Sequence, residues 1–175
     1  MLNEPKTRRE GFAAMVNQYS ESLYWKVRHI VLSHEDANDV LQNAFVKAWS
    51  NLDSFQGKSS LATWLHRIAI NEALDFIRKQ KVVNSNISAD DDEMSVANRL
   101  MADEYFDGDE AQALLQEAIA RLPDVQRVVF TLKYYHELKY AEISKQLGTS
   151  EGALKASYHL AVKKITDYLR LKMDD

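Results

Sequence analysis

Four polar side chains, Arg67, Asn71, Asp75 and Arg78, recur at steps of four, four and three along one segment of this 175-residue chain. That spacing puts them on one face of a helix. Just before them stand Phe55, Gln56, Lys58, Ser59 and Ser60, and Trp64 sits just inside the helix. Aromatic rings beside amide and basic groups suit single-stranded nucleic acid, because bases stack on the rings while an amide reads a base edge. Each residue also has a plainer use: Phe55 and Trp64 as core, the stripe as a solvated face.

A second constellation runs from Tyr140 to Leu154. Ile143 and Leu147 are spaced to pack beneath a following helix, and Ser144 is small where two helices approach. Gly148 supplies a left-handed residue after the first helix, and Ser150 can cap the next. This is the shape of a helix-turn-helix, whose second helix enters a DNA major groove. On that second helix Leu154, Tyr158, Ala161, Ile165 and Leu169 form an inward stripe, with Lys155, His159 and Lys163 on the other side. Lys155 and Ser157 are candidates for base or phosphate contacts, Lys163 and Lys164 for phosphate. The alternative is a plain αα-hairpin with a basic, solvated face.

Catalytic chemistry finds little support. With no cysteine the chain has no thiolate nucleophile, disulfide or cysteine zinc site. His29, His34, His66, His136 and His159 form no His-x-x-x-His pair and have no carboxylate set at metal-ligand spacing. No glycine-rich phosphate loop is present. The expectation is a chain that is not an enzyme and needs no metal or cofactor.

The elements that must position these residues are helices. Glycine and proline number only 5 and 2, too few for a turn-rich β architecture. Apolar periodicity predicts helices over about 7–32, 35–50 and 61–81, the second entered at Ser33 or His34 before Glu35 and Asp36. Residues 51–60 read as a loop. Further helical pieces are predicted near 111–121, 124–136, 139–147 and 151–171, with Pro123 suited to the start of the second of these. No apolar run reaches the ~20 residues of a membrane span, and the first residues lead into no stretch of signal-peptide type. A soluble, cytoplasmic location is expected.

The net charge of −4 would by itself argue against a nucleic-acid partner. Its distribution removes the objection. Residues 83–112 hold nine acidic residues and one basic, Arg99, whereas 1–82 and 113–175 each carry a net charge of +2. The reading is therefore all-α: two small helical domains, 1–82 and 113–175, joined by an acidic flexible linker at 83–112, the second domain a helix-turn-helix. Self-repulsion among the carboxylates would keep such a linker extended.

Three stretches make a resemblance specific: Asp36 to Trp49, Phe55-Gln56-Gly57-Lys58, and Thr63 to Arg78. Together they look like the second domain of a bacterial RNA polymerase sigma factor of the extracytoplasmic-function group, which keeps only the second and fourth sigma domains. The Leu122-Pro123 start, the Tyr140–Gly148 helix and the Glu151–Lys155 helix resemble the fourth domain. The resemblance implies a clamp-binding face for the β′ subunit of core RNA polymerase at Asp36, Asp39, Gln42, Asn43 and Val46. It implies melting and reading of the minus-ten element by Gln56, Lys58, Ser60, Trp64, Arg67, Asn71, Asp75 and Arg78. There a base is flipped from the duplex, at an unstacking cost of a few kcal/mol. It implies reading of the minus-thirty-five element by Ser150, Glu151, Gly152, Lys155, Ser157, Tyr158, His159 and Lys163.

The chain departs from the family at Asn43, where an acidic residue is common, and in a recognition helix with lysine where arginine is usual. The resemblance also implies an anti-sigma partner, and a linker that threads the polymerase RNA channel with Asp90, Asp91, Asp92 and Glu93 on basic surface. Two other readings stay open. A free-standing helix-turn-helix regulator would bind duplex DNA without polymerase, and a helical protein-interaction adaptor would use the acidic segment for docking.

Overall fold

The computed structural model describes residues 5–86 and 96–175. The carboxylates of Asp90, Asp91, Asp92 and Glu93, and the expectation attached to them, lie outside these residues. Among the described residues eight α-helices follow in order: α1 Pro5–Val31, α2 His34–Ser50, α3 Leu61–Asn86, α4 Val96–Ala102, α5 Glu110–Ala120, α6 Asp124–Tyr134, α7 Tyr140–Leu147 and α8 Glu151–Met173. A single 3-10 turn, Leu52–Ser54, separates α2 from α3, and no strand occurs among the described residues.

Helices α1, α2 and α3 form one unit. Leu23, Val27 and Ile30 of α1 meet Ala37, Val40, Ala44 and Ala48 of α2 and Leu65, Ile70, Ala73 and Ile77 of α3, all essentially buried. The alanines of α2 let three helices approach closely. The turn into α2 uses Leu32 at φ 74° and Ser33 as N-cap, its Oγ accepting from the Asp36 amide at 3.4 Å. A left-handed leucine costs about 1–2 kcal/mol, which the packing of its side chain against the α4–α5 cluster helps offset.

Helices α5 to α8 form the second unit, around Ile119, Leu122, Phe130, Ala161 and Ile165. Asp109 and Gln112 cap α5 reciprocally, at 2.9 and 3.0 Å. The helix-turn-helix has the expected joints. Gly148 ends α7 at φ 67°, Ser150 Oγ accepts from the Ala153 amide at 3.3 Å, and Ile143 and Leu154 are fully buried.

Two features differ from the sequence reading. Residues 83–112 are expected as extended chain, yet 96–102 form α4. Ala97 and Leu100 are buried, the Ala97 amide donates to Glu117 Oε2 at 3.2 Å, and Asp103 pairs with Arg28 at 3.1 Å. A local apolar triplet, Val96, Ala97 and Leu100, thus outweighs the average acidity of the segment. The second difference is that the units share a core. Val128, Val129, Leu132, Ile143 and Leu154 belong to the same buried cluster as α1–α3, because α6 lies on α1 and α3 and α7 lies on α3.

Candidate nucleic-acid and polymerase interfaces

On α2, Asp39, Gln42, Asn43 and Val46 are exposed along one strip, and Val46 is 60% exposed despite being apolar. The opposite side of the helix holds the buried alanines, so core packing fixes which way the strip faces. Asp39, Gln42 and Val46 border a groove of about 640 Å³ walled by Phe12, Phe45 and Trp49. Phe12 meets both other rings edge-on, at 6.5 and 5.0 Å between centroids. Arg8 lies over the Trp49 ring at 4.9 Å and pairs with Asp53 at 3.0 Å. Asp36 sits one turn back, half-buried, where burial raises its carboxyl more than the Ser33 hydroxyl lowers it. Sequence reasoning finds the polar strip but misses the aromatic wall, because Phe12 comes from a different helix.

Gln56, Lys58 and Ser60 are exposed in the loop before α3. Ser60 Oγ accepts from the Thr63 amide at 3.1 Å and so also starts the helix. Trp64 is half-buried, 5.2 Å from Phe55 between ring centroids, and packs on the core. Its ring is thus anchored on one side and open to solvent on the other. Arg67, Asn71, Asp75 and Arg78 are all exposed along α3, as their spacing predicts. Two of the four are engaged by the second unit. Arg67 donates to the Lys145 carbonyl, and Arg78 Nε stands 3.7 Å from Asp124, which also accepts from Lys81. Between Arg78 and Asp75 the separation is 3.8 Å. Lys47, whose ammonium is raised by its hydrogen bond to Glu72, ties α2 to α3 behind the stripe.

On α8, Glu151, Gly152, Lys155, His159 and Lys163 are exposed on the side away from the core, with Ser150 exposed at the cap and Ser157 half-buried. Tyr158 differs from these residues and keeps the inward place that its spacing predicts. Its ring stacks on Phe130 at 5.7 Å, meets Tyr140 at 6.4 Å, and packs against both large core clusters. It belongs to the inward stripe of α8, and burial raises its phenol. Tyr140 in turn lies beneath the ammonium groups of Lys133 and Lys155, at 4.6 and 5.7 Å.

The seam between the units collects residues that the sequence does not single out. Arg28, His29, Tyr134 and Tyr135 line a cavity of about 340 Å³ together with Trp25 and Tyr105. Their positions, on α1, the α4–α5 connection and α6, are too far apart in sequence to announce a common site.

Comparison with known proteins agrees with this layout. Residues 15–82 match the model of Sigma-70 region 2, and residues 112–165 match that of Sigma-70 region 4. The chain is 31% identical to the extracytoplasmic-function sigma factor SigW of Bacillus subtilis over 94% of its own length and 92% of that protein. It is 30% identical to the sigma-E factor of Escherichia coli, over 86% and 82% respectively. Two solved folds are similar at 23% identity. One is the sigma factor RpoE in complex with the anti-sigma factor NepR from Bartonella quintana, with a TM-score of 0.69, covering 92% of this chain and 98% of that one. The other is CnrH in complex with the cytosolic domain of CnrY, with a TM-score of 0.66, covering 93% and 90%. With both regions present in order on an all-helical chain, the protein belongs to the sigma-70 family and is a sigma factor of the extracytoplasmic-function group, which binds core RNA polymerase and directs initiation at promoters.

Proposed function

We propose that three surfaces divide this work. The α2 strip from Asp36 to Val46, with its aromatic groove, binds the β′ clamp. The 56–60 loop with Trp64, Arg67, Asn71, Asp75 and Arg78 opens and reads the minus-ten element. The outer face of α8, from Ser150 to Lys163 with Tyr158 excepted, reads the minus-thirty-five element. Domains 1–82 and 113–175 act as the two reading heads, and the chain acts in the cytoplasm without catalysis of its own.

The observation that carries this reading is the exposed α3 stripe beside a ring anchored by Phe55. In the closed arrangement Arg67 and Arg78 are held by the second unit, so α6 and α7 must leave α3 before DNA can enter. Transcription from a cognate promoter by core polymerase plus the purified chain tests it. Asn71→Ala and Trp64→Ala should retain polymerase binding but lose about 5- to 100-fold in open complexes detected by permanganate, because a ring stacked on a base contributes ~1–3 kcal/mol and an amide paired with a base edge about as much. Val46→Glu should lose polymerase in a pull-down. Retention of open complexes by both α3 variants would count against the assignment.

We also propose an anti-sigma partner seated at the seam. Exposed Trp25, Tyr105 and Tyr134 surround the 340 Å³ cavity, an apolar rim that a partner helix could cover.

A further inference from the structure

Four side chains that carry or can acquire positive charge converge where the two units meet. Lys26 Nζ lies 3.3 Å from His66 Nδ1, and both residues are more than nine-tenths buried. His29 Nδ1 lies 3.1 Å from His136 Nε2, across the seam between α1 and the α6–α7 connection. The His29 ring also stacks on Tyr135 at 4.3 Å. A contact between two imidazole nitrogens at this distance requires one nitrogen to accept, so at least one ring must be neutral. The Lys26–His66 contact likewise requires a neutral imidazole, since an ammonium only donates.

We propose that this cluster makes the contact between region 2 and region 4 acid-labile: protonation of the histidines separates the two units and frees the α3 stripe. The inference rests on the packing of the units and not on the assignment of the reading surfaces.

The surroundings offer little to compensate added charge. From α1, Arg28 faces His29, and its own charge is already paired with Asp103 at the end of α4. From α3 comes His66. From α7 comes Glu142, the carboxylate that acts on Lys26, while its Oε2 accepts from the Lys139 amide at 2.8 Å. From the end of α6 come Tyr134 and Tyr135, the latter pushed up to about 12 by burial and so uncharged. His136 feels His29, Lys26 and His66 together, partly offset by a hydrogen bond to the backbone of Trp25.

Burial is the first cause of every shift. It lowers His29 and His66 to about 4 and His136 to about 3, and Lys26 to about 8. An opened chain would return the histidines towards 6.5. The closed form's advantage is therefore complete above pH 6.5 and is lost as pH falls towards 4. Between pH 7.5 and 5.5 the opening constant should rise about tenfold per histidine. Lys26 is mostly charged at pH 7.5 and fully charged at pH 5.5, so its repulsion grows slightly as pH falls.

The chain has no cysteine, so Ser22→Cys on α1 and Asp167→Cys on α8, both exposed, give a clean pair for fluorescence energy transfer in the full-length protein. Transfer should be high at pH 7.5 and fall towards pH 5.5 with unchanged helical circular dichroism. The logarithm of the opening constant should change by two to three units per pH unit at the acid end. In His29→Gln/His136→Gln the slope should drop to about one, and in His66→Gln it should drop by about one. Any of three results overturns the proposal: constant transfer from pH 7.5 to 5.5, loss of helix coincident with the change, or an unaltered slope in both variants. No polymerase or DNA is present, so the outcome is independent of the promoter-reading assignment.

Discussion

Arg28 shows how one side chain can fasten an element that sequence averaging hides. It is 6% exposed, and its guanidinium reaches Asp103 at 3.1 Å, 75 residues away. A buried charge left without its partner is far more costly than the pair was favourable. Asp103→Asn should therefore lower stability by about 2 kcal/mol, below the ~3–5 kcal/mol of a fully buried pair because Asp103 keeps some solvent. Arg28→Met in the same chain should recover most of that loss. Urea midpoints of the two single variants and the double variant check both statements. Little of this was legible beforehand. The exposed polar residues of α2, α3 and α8 announce themselves by helical spacing, whereas Arg28 and Asp103 lie on separate elements with no local pattern to join them. Tyr158 is legible in part: helical spacing puts it on the inward stripe of α8, whereas its stacking partner Phe130, on another helix, has no local signal.

At the scale of elements, the sequence is most legible where local chemistry and packing agree. The α7–α8 joint is one such place. Gly148 at φ 67° and the Ser150 cap are both readable from residue type. Two glycines near this joint should respond oppositely to alanine. A Cβ on Gly148 meets no atom within 4 Å, so Gly148→Ala should cost only its left-handed backbone, about 1 kcal/mol. Gly152 lies in the first turn of α8 with equally open space and an ordinary backbone. Gly152→Ala should stabilise by about 0.5 kcal/mol through the unfolded chain. Thermal melts of the two variants should move to either side of the parent. Helix α4 lies at the other extreme. Its seven residues could not form a stable helix alone. They hold because Glu117 accepts at one end, Arg28 pairs at the other, and Leu100 is buried between. Those partners come from α5 and α1, so composition alone reads the segment as extended.

For the whole molecule, the question is which force holds the two units together, because that decides which condition opens them. The ion pairs across the seam, Arg78 and Lys81 with Asp124, use cations more than half exposed. Exposed pairs contribute only about 0.2–1 kcal/mol each and weaken in salt. The apolar contribution is larger in kind: Val128, Val129, Leu132 and Ile143 are fully buried in a cluster continuous with Ile30, Leu65 and Ile77. The charge division of the sequence, mildly positive units around an acidic segment, is compatible with DNA binding but says nothing about this shared core. Each apolar stripe reads equally well as the inside of its own domain. Salt and the ion pairs should therefore be weak levers. Raising salt from 0.1 to 0.5 M, or making Asp124→Asn, should change the opening constant by less than about fivefold. Val129→Asp buries a carboxylate where no partner waits, and it should open the chain or unfold the second unit outright. Small-angle scattering of the full chain, with circular dichroism to separate opening from unfolding, distinguishes these outcomes. A large expansion in 0.5 M salt would mean that electrostatics, not the shared apolar core, closes the molecule.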